Sequence, residues 1–174
     1  MYAGWAELIA GDAAAAERQL RRGYEALQRM GEQTYLSTMA AFLARAVLAQ
    51  GRYDEAERLT QVTDDIASDD DLFPQALWRG TRARLLARRG DADAERLARE
   101  SVGLWLGTDC LNMQADALVD LAETLRLLQR SNESMDVLGE AIRLYESKEN
   151  LASTTAVRAL VSTGLPVKFD HDTT

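Results

Sequence analysis

The residues closest to a metal-binding pattern are five aspartates in one short stretch: Asp64, Asp65, Asp69, Asp70 and Asp71. A calcium loop needs the register Asp-x-Asp-x-Asp-Gly and a glutamate farther along, and this stretch has neither. Aspartates beside Ser68 also suit a loop that leads into a helix, where carboxylates accept hydrogen bonds from the free amides of the first turn. The sequence therefore favours a solvated loop that caps the next helix over a metal site, and we expect no bound metal.

Side chains suited to catalysis are scarce. His171 is the single histidine and lies near the C-terminus, so a Ser/His/Asp triad held by packing is excluded and a zinc site is not expected. Cys110 is the single cysteine, and its sequence neighbours lack the positive charge that a reactive thiolate needs. No glycine-rich segment ends in Gly-Lys-Ser or Gly-Lys-Thr, which excludes a phosphate loop. The sequence predicts a protein that is not an enzyme, with no catalytic residue and no cofactor.

Charge and composition limit the partners that the chain can bind. Its 174 residues carry a formal net charge of −8, and the sequence pI is about 4.7. An acidic chain is poorly suited to nucleic acid or to anionic membranes, because both attract cationic surfaces. The first residues lack the basic segment, apolar core and cleavage site that are typical of a signal peptide, and no apolar run approaches the roughly 20 residues that span a bilayer. One cysteine allows no internal disulfide, so we expect a cytoplasmic protein with neither a nucleic-acid nor a membrane partner.

Helix-forming residues dominate the chain, and a short phrase recurs along it. Alanine, leucine, arginine and glutamate are frequent, only two prolines occur, and β-branched residues never alternate as they do in strands. The phrase Ala-Glu-Arg begins at Ala16, Ala56 and Ala94, at intervals of 40 and 38 residues, and a further step of 40 reaches Ser134. Repetition at such a period is typical of a solenoid of stacked helix pairs. We therefore predict an all-α fold of antiparallel helix pairs with a period near 40 residues.

Glycines and apolar spacing predict where each helix ends. Glycine adopts the left-handed conformation without steric cost, so Gly11, Gly51 and Gly90 are expected to form the turns within the pairs, and Gln129 takes that position in the fourth pair. Asp54 and Glu57 are expected to form a capping box at the start of the helix that follows Gly51. After a short helix within residues 1–10, the expected helices cover residues 13–30, 34–50, 54–66, 74–89, 92–106, 113–128, 132–145 and 151–163.

Small residues recur where the two helices of a pair should cross. Ala44 with Ala56, and Ala83 with Ala94, are the clearest examples, because a larger side chain there would hold the backbones apart. The second pair resembles a tetratricopeptide repeat (TPR) at six positions: Leu43, Ala44, Val47, Gly51, Tyr53 and Ala56. The period exceeds the roughly 34 residues of the standard repeat, which implies longer helices.

Elongated repeats of this kind are similar to the C-terminal helical regions of large bacterial signalling proteins, in which TPR-like repeats follow a P-loop ATPase and a nucleotide cyclase or a DNA-binding output domain. The resemblance implies a non-catalytic scaffold or sensor module that binds a protein or a peptide. The alternative is a small-ligand effector domain of a regulator. An open polar groove favours the first function, and a deep pocket lined by aromatic and polar groups favours the second.

The resemblance also implies a binding surface on the inner wall of the stack, which is formed by the first helix of each pair. Counted back from the turn glycines, the groove residues are Arg45, Arg84, Arg88, Glu123 and Arg126. Neighbouring guanidinium groups suit a partner with acidic groups, because arginine offers a planar fork of donors to carboxylate or phosphate. The alternative is that these arginines pair with Asp120, Glu123 or other carboxylates of their own chain, as surface charges usually do.

The two ends of the repeat region differ from its middle. The first pair is truncated, since residues 1–10 leave room for only a short first helix that carries Trp5, Leu8 and Ile9. Three explanations remain open: the chain was cut from a longer one, it forms a homodimer through this end, or the short helix is a cap. Residues 151–163 are expected to cap the fourth pair. The repeat domain is thus predicted for residues 1–163, with a flexible tail at 164–174.

Overall fold

A computed structural model describes residues 2–163, which form nine α-helices and contain no strand. The helices are α1 (Tyr2–Ala10), α2 (Ala13–Met30), α3 (Thr34–Ala49), α4 (Tyr53–Ile66), α5 (Leu72–Arg88), α6 (Asp93–Trp105), α7 (Leu111–Leu127), α8 (Ser131–Ser147) and α9 (Leu151–Thr163). The predicted all-α fold is confirmed for this part of the chain. None of these helices is long and apolar enough to cross a membrane. The expected tail at 164–174, with His171, lies outside the described residues.

Left-handed residues end the first helix of each pair at the four expected positions. The φ angles are 85° at Gly11, 76° at Gly51, 71° at Gly90 and 63° at Gln129. Glycine adopts this conformation freely, whereas Gln129 adopts it at a cost of roughly 1–2 kcal/mol because its Cβ approaches the following carbonyl. The turn at Gln129 is nevertheless closed by the same hydrogen bonds, with its amide donating to Arg126 O at 3.0 Å.

One expected cap is wrong. Helix α4 begins at Tyr53 and its N-cap residue is Arg52, so Asp54 lies inside the first turn and no side chain caps the helix. Glu57 accepts hydrogen bonds from Arg89 instead of reaching back to a cap residue. The charge-assisted pair between Glu57 and Arg89, the residue that follows α5, forms in place of the local capping bond. The other bounds agree with the expected ones to within two residues.

The helices pack in two layers. Each helix packs on the next one along the chain, and in addition α1 packs on α3, α3 on α5, and α5 on α7. The even-numbered helices pack mainly on their chain neighbours, with an ion pair of 2.7 Å between Arg21 of α2 and Glu55 of α4, so they cover the outer side of the odd-numbered ones. The first and last described helices, α1 and α9, also contact each other. The odd-numbered helices therefore surround the interior of the molecule, where the candidate site lies.

Small side chains allow close helix crossings inside the pairs. Ala44, Ala56, Ala83 and Ala94 have no exposed surface. In the last pair, Ser134 of α8 donates a hydrogen bond through Oγ to Ala122 O of α7 at 2.8 Å. A serine hydroxyl reaches a backbone carbonyl of another helix only when the two backbones lie close together.

The glutamate of each Ala-Glu-Arg phrase pairs with an arginine at the next turn. Glu17 of α2 pairs with Arg52, which follows Gly51, at 2.7 Å. Glu57 of α4 pairs with Arg89, which precedes Gly90, at 2.5 Å, and Glu95 of α6 pairs with Arg130, which follows Gln129. These pairs are partly exposed, so each contributes little to stability, but together they link every second helix to the following turn.

We expect Ala56→Leu to lower the free energy of unfolding by about 1–3 kcal/mol, because the larger side chain at a fully buried crossing pushes α3 and α4 apart. The measurement is urea unfolding followed by far-ultraviolet circular dichroism. Ala14→Leu on the exposed side of α2 is the matched control and should stay within about 0.5 kcal/mol of the parent. Equal stability of the two variants would place Ala56 away from the crossing.

Candidate functional site

One buried carboxylate holds together three of the inner helices. Asp120 of α7 has 3% of its side chain exposed, and it accepts charge-assisted contacts from two arginines. Arg45 of α3 places Nη2 3.1 Å from Oδ2, and Arg84 of α5 places Nη1 3.3 Å from Oδ1. The structure thus brings Arg45 and Arg84 side by side, and it pairs both with their own chain.

A glycine in the middle of α5 makes room for this carboxylate. A Cβ atom added at Gly80 would lie 2.7 Å from Asp120 Oδ2, which is closer than real Cβ contacts allow. Glycine costs about 1 kcal/mol in a helix interior relative to alanine, so such a residue needs a packing reason. A glycine in the middle of a helix indicates that another group packs closely against the helix there, although the sequence did not show that this group is Asp120.

The other expected groove residues are also engaged. Arg126 forms two hydrogen bonds of 2.8 Å to the carboxylate of Glu123, which is 7% exposed. Arg88 is exposed, and its guanidinium carbon lies 4.7 Å from the ring centroid of Tyr53 on α4, so it does not join the Asp120 cluster. The observed contacts agree with the alternative in which these arginines contact groups of their own chain. Their part in binding a partner stays a prediction.

A second carboxylate, which the sequence did not single out, lies near this cluster. Asp116 of α7 accepts a hydrogen bond through Oδ1 from the hydroxyl of Tyr145 on α8. Burial raises the pKa of Asp116 to about 6, although the charge of Arg45 and the hydrogen bond from Tyr145 both act in the opposite direction. Burial and the neighbouring Asp116 also raise the pKa of Tyr145. A carboxyl group with such a pKa changes charge within the physiological range.

Three adjoining cavities follow one another through the interior. We call them the mouth cavity, the inner cavity and the far cavity, with volumes of about 550, 150 and 100 Å³. Residues that line both the mouth and the inner cavity are Trp5, Phe42 and Met113. Residues that line both the inner and the far cavity are Leu8, Arg45 and Val119. The shared lining residues place the three cavities next to one another in the interior.

The mouth cavity lies where α3, α5 and α7 begin. Its aromatic lining consists of Trp5, Tyr35, Phe42 and Phe73, and two of these are largely exposed: Tyr35 at 63% and Phe73 at 40%. We call Tyr35 and Phe73 the rim. Charged groups of the lining are Asp71, Asp109 and Lys148. Cavities with an aromatic lining and a few polar groups are the usual sites for ligands and for anchoring side chains.

Helices α1 and α9 partly cover the inner wall, so it forms cavities in place of one continuous groove. Helix α1 covers it with Trp5, whose ring centroid lies 6.4 Å from that of Phe42, and α9 closes the other side with Ser153 and Val157. Enclosure follows from the apolar face of α1, which would otherwise be exposed to water. The short first helix therefore packs across the interior and touches α9.

The remaining candidates for chemistry lie apart from this interior space. Asp64 forms an ion pair with Arg82 at 3.8 Å, and Asp65 accepts a hydrogen bond from Gln61. Among residues 2–163, no three histidine, cysteine or acidic side chains are grouped as a metal site requires. Cys110 is exposed and lines the mouth cavity, so it offers a point of attachment for a probe.

No protein-family model matches the chain, and a search of the curated proteins finds no relative.

The raised pKa of Asp116 predicts a stability difference that depends on pH. At pH 5 the folded chain holds a proton on Asp116 that the unfolded chain has lost, and at pH 7.5 both have lost it. Folding is therefore favoured at the lower pH, and this advantage is lost as the pH rises through 6. Asp116→Asn removes this dependence and keeps an acceptor for Tyr145. We therefore expect its stability relative to the parent to rise by about 1 kcal/mol from pH 5 to pH 7.5.

Urea unfolding at both pH values measures this difference. Asp109→Asn, which changes an exposed carboxylate at the mouth cavity, is the control and should show no such rise. A relative stability of Asp116→Asn that is constant with pH would contradict the burial of an ionisable Asp116.

Proposed function

We propose that this chain is a TPR-like α-solenoid, a non-catalytic module that binds a protein or a peptide in a bacterial signalling or regulatory system. Two observations support the TPR-like organisation. The left-handed turn residues at positions 11, 51, 90 and 129 are separated by 40, 39 and 39 residues. The glutamate of each repeated phrase pairs with an arginine at the following turn. The signalling context rests on the resemblance of the repeats alone.

The mouth cavity and its rim are the observation that carries the proposed binding function. A space of about 550 Å³ is large enough for a tryptophan or phenylalanine side chain of a partner, and the exposed rings of Tyr35 and Phe73 provide apolar contact beside it. Aromatic anchors that fill such pockets supply most of the binding energy in many interfaces.

The charged residues around the mouth cavity indicate which residues flank the anchoring side chain of the partner. Arg45 and Arg84, on which an acidic partner would depend, share the buried Asp120 and do not line the mouth cavity. The mouth cavity carries Asp71 and Asp109 against Lys148, in a chain of net charge −8. We therefore propose a bulky apolar anchor with basic neighbours, because complementary charge speeds association and disfavours acidic competitors.

A small-ligand effector domain is the second candidate function. The observation that favours it is the inner cavity, which is lined by residues of six helices and combines aromatic walls with Arg45 and Asp116. A module of this class would change its stability or shape when a metabolite fills the interior. Both functions are compatible in one chain, because the mouth and inner cavities adjoin.

Fluorescence anisotropy with two labelled peptides tests the first candidate. Both peptides carry one central tryptophan, flanked in one by lysines and in the other by glutamates. We expect the lysine-flanked peptide to bind more tightly, and Tyr35→Ala to weaken that binding about tenfold, which is about 1.4 kcal/mol. Tyr35 is mainly exposed, so its loss should leave the thermal midpoint nearly unchanged.

Met135→Ala is the matched control, since Met135 is also exposed, at 41%, but lies on α8 away from the cavity lining. Its affinity for the peptide should equal that of the parent. Binding of neither peptide, or equal weakening by both substitutions, would contradict a binding site at the rim.

A further inference from the structure

The inner cavity has unused hydrogen-bonding groups of both kinds. Asp116 accepts a hydrogen bond from the Tyr145 hydroxyl through Oδ1, and its Oδ2 accepts no hydrogen bond from residues 3–162. Arg45 donates to Asp120 through Nη2, and its Nε and Nη1 donate to no acceptor in that part of the chain. Both side chains line the inner cavity. It therefore presents an acceptor and donors to whatever occupies it.

These groups are accessible from the interior space. Within the described residues, the single side-chain nitrogen or oxygen that is both sealed and without a partner is Arg84 Nε. The free atoms of Arg45 and Asp116 are consequently not sealed by protein. Arg45 lines two of the three cavities, and 21% of its side chain is exposed.

Charge balance restricts the ligand. The charged side chains that line the inner cavity are Arg45 and Asp116, so its lining is neutral when Asp116 is ionised. A ligand with a single charge would leave a net charge in this largely apolar space, which is unfavourable. A ligand with one positive and one negative group uses both free partners and keeps the interior neutral.

Size and wall chemistry restrict it further. The inner cavity has a volume of about 150 Å³, comparable to engineered cavities that accept a benzene molecule. Its apolar wall includes Trp5, Phe42 and Met113, which also line the much larger mouth cavity. A small head group therefore fits beside Arg45 and Asp116, with an apolar side chain directed toward the mouth.

We propose that the inner cavity binds a free α-amino acid with an apolar or aromatic side chain. Its carboxylate accepts hydrogen bonds from Arg45, its ammonium group donates to Oδ2 of Asp116, and its side chain packs against Trp5, Phe42 and Met113. No bond forms or breaks, so this is a binding site only. The inference deepens the second candidate function and rests on it, and it does not require a partner at the rim.

Isothermal titration calorimetry with L-leucine and L-phenylalanine tests the proposal on the intact chain. The two matched analogues are N-acetyl-L-phenylalanine, which lacks the ammonium group, and L-phenylalaninamide, which lacks the carboxylate. We expect at least one free amino acid to bind at millimolar concentration or below, and both analogues to bind at least tenfold more weakly than free phenylalanine. This comparison uses only the parent protein, so it does not depend on the folding of a variant.

Asp116→Asn should weaken binding of the free amino acid at least tenfold, whereas Asp136→Asn, on the exposed side of α8 and outside all three cavity linings, should bind it as the parent does. Circular dichroism checks that both variants are folded. Absence of binding by both amino acids, equal binding of the analogues, or full binding by folded Asp116→Asn would overturn the proposal. The peptide assay is run on the same preparation, so failure here with peptide binding intact removes the amino-acid site and leaves the rim function standing.

Discussion

The interior of this fold depends on one carboxylate shared between two guanidinium groups. Asp120 of α7 is almost fully buried, and the arginines that meet it come from α3 and α5, 75 and 36 residues away in the chain. Taking three charges out of water is costly, and the attraction between them offsets that cost only while all three remain together. The contact therefore fixes how three inner helices sit relative to one another, and Gly80 provides the space that it needs.

The same arrangement decides where binding can occur. Arg45 and Arg84 share Asp120, and the donors that Arg45 leaves unused lie at the inner cavity. Helix α1 lies across that wall and contacts α9, which turns the expected open groove into a series of cavities. A protein or peptide partner can reach the rim at the start of α3 and α5. A small ligand can enter the interior cavities.

Local features of the fold could be predicted from the sequence, and long-range contacts could not. Gly51 and Gly90 predicted their turns because a left-handed turn favours glycine at that one position. Ala56 predicted a close helix crossing because the size of a side chain can be read from the residue itself. The partner of Arg45 could not be predicted, because Asp120 is one of many carboxylates and only the packing of α3, α5 and α7 selects it.

The candidate site was predicted in part. The sequence brought Arg45 and Arg84 together through their equivalent positions, but the path of α1 across the interior depends on tertiary packing that a nine-residue helix does not encode by itself. Asp116 and Tyr145 were missed for the same reason, since a carboxylate and a tyrosine on different helices carry no shared pattern. The mid-helix Gly80 was the one visible signal of a buried group nearby.

The free energy of unfolding of Asp120→Asn tests most directly whether the shared carboxylate organises the interior. This substitution keeps the shape of the side chain and removes the negative charge that pairs with Arg45 and Arg84. The account predicts a loss of about 3 kcal/mol or more at neutral pH, while Asp136→Asn on the exposed side of α8 should change stability by less than about 0.5 kcal/mol. A loss for Asp120→Asn as small as that of the control would contradict the account.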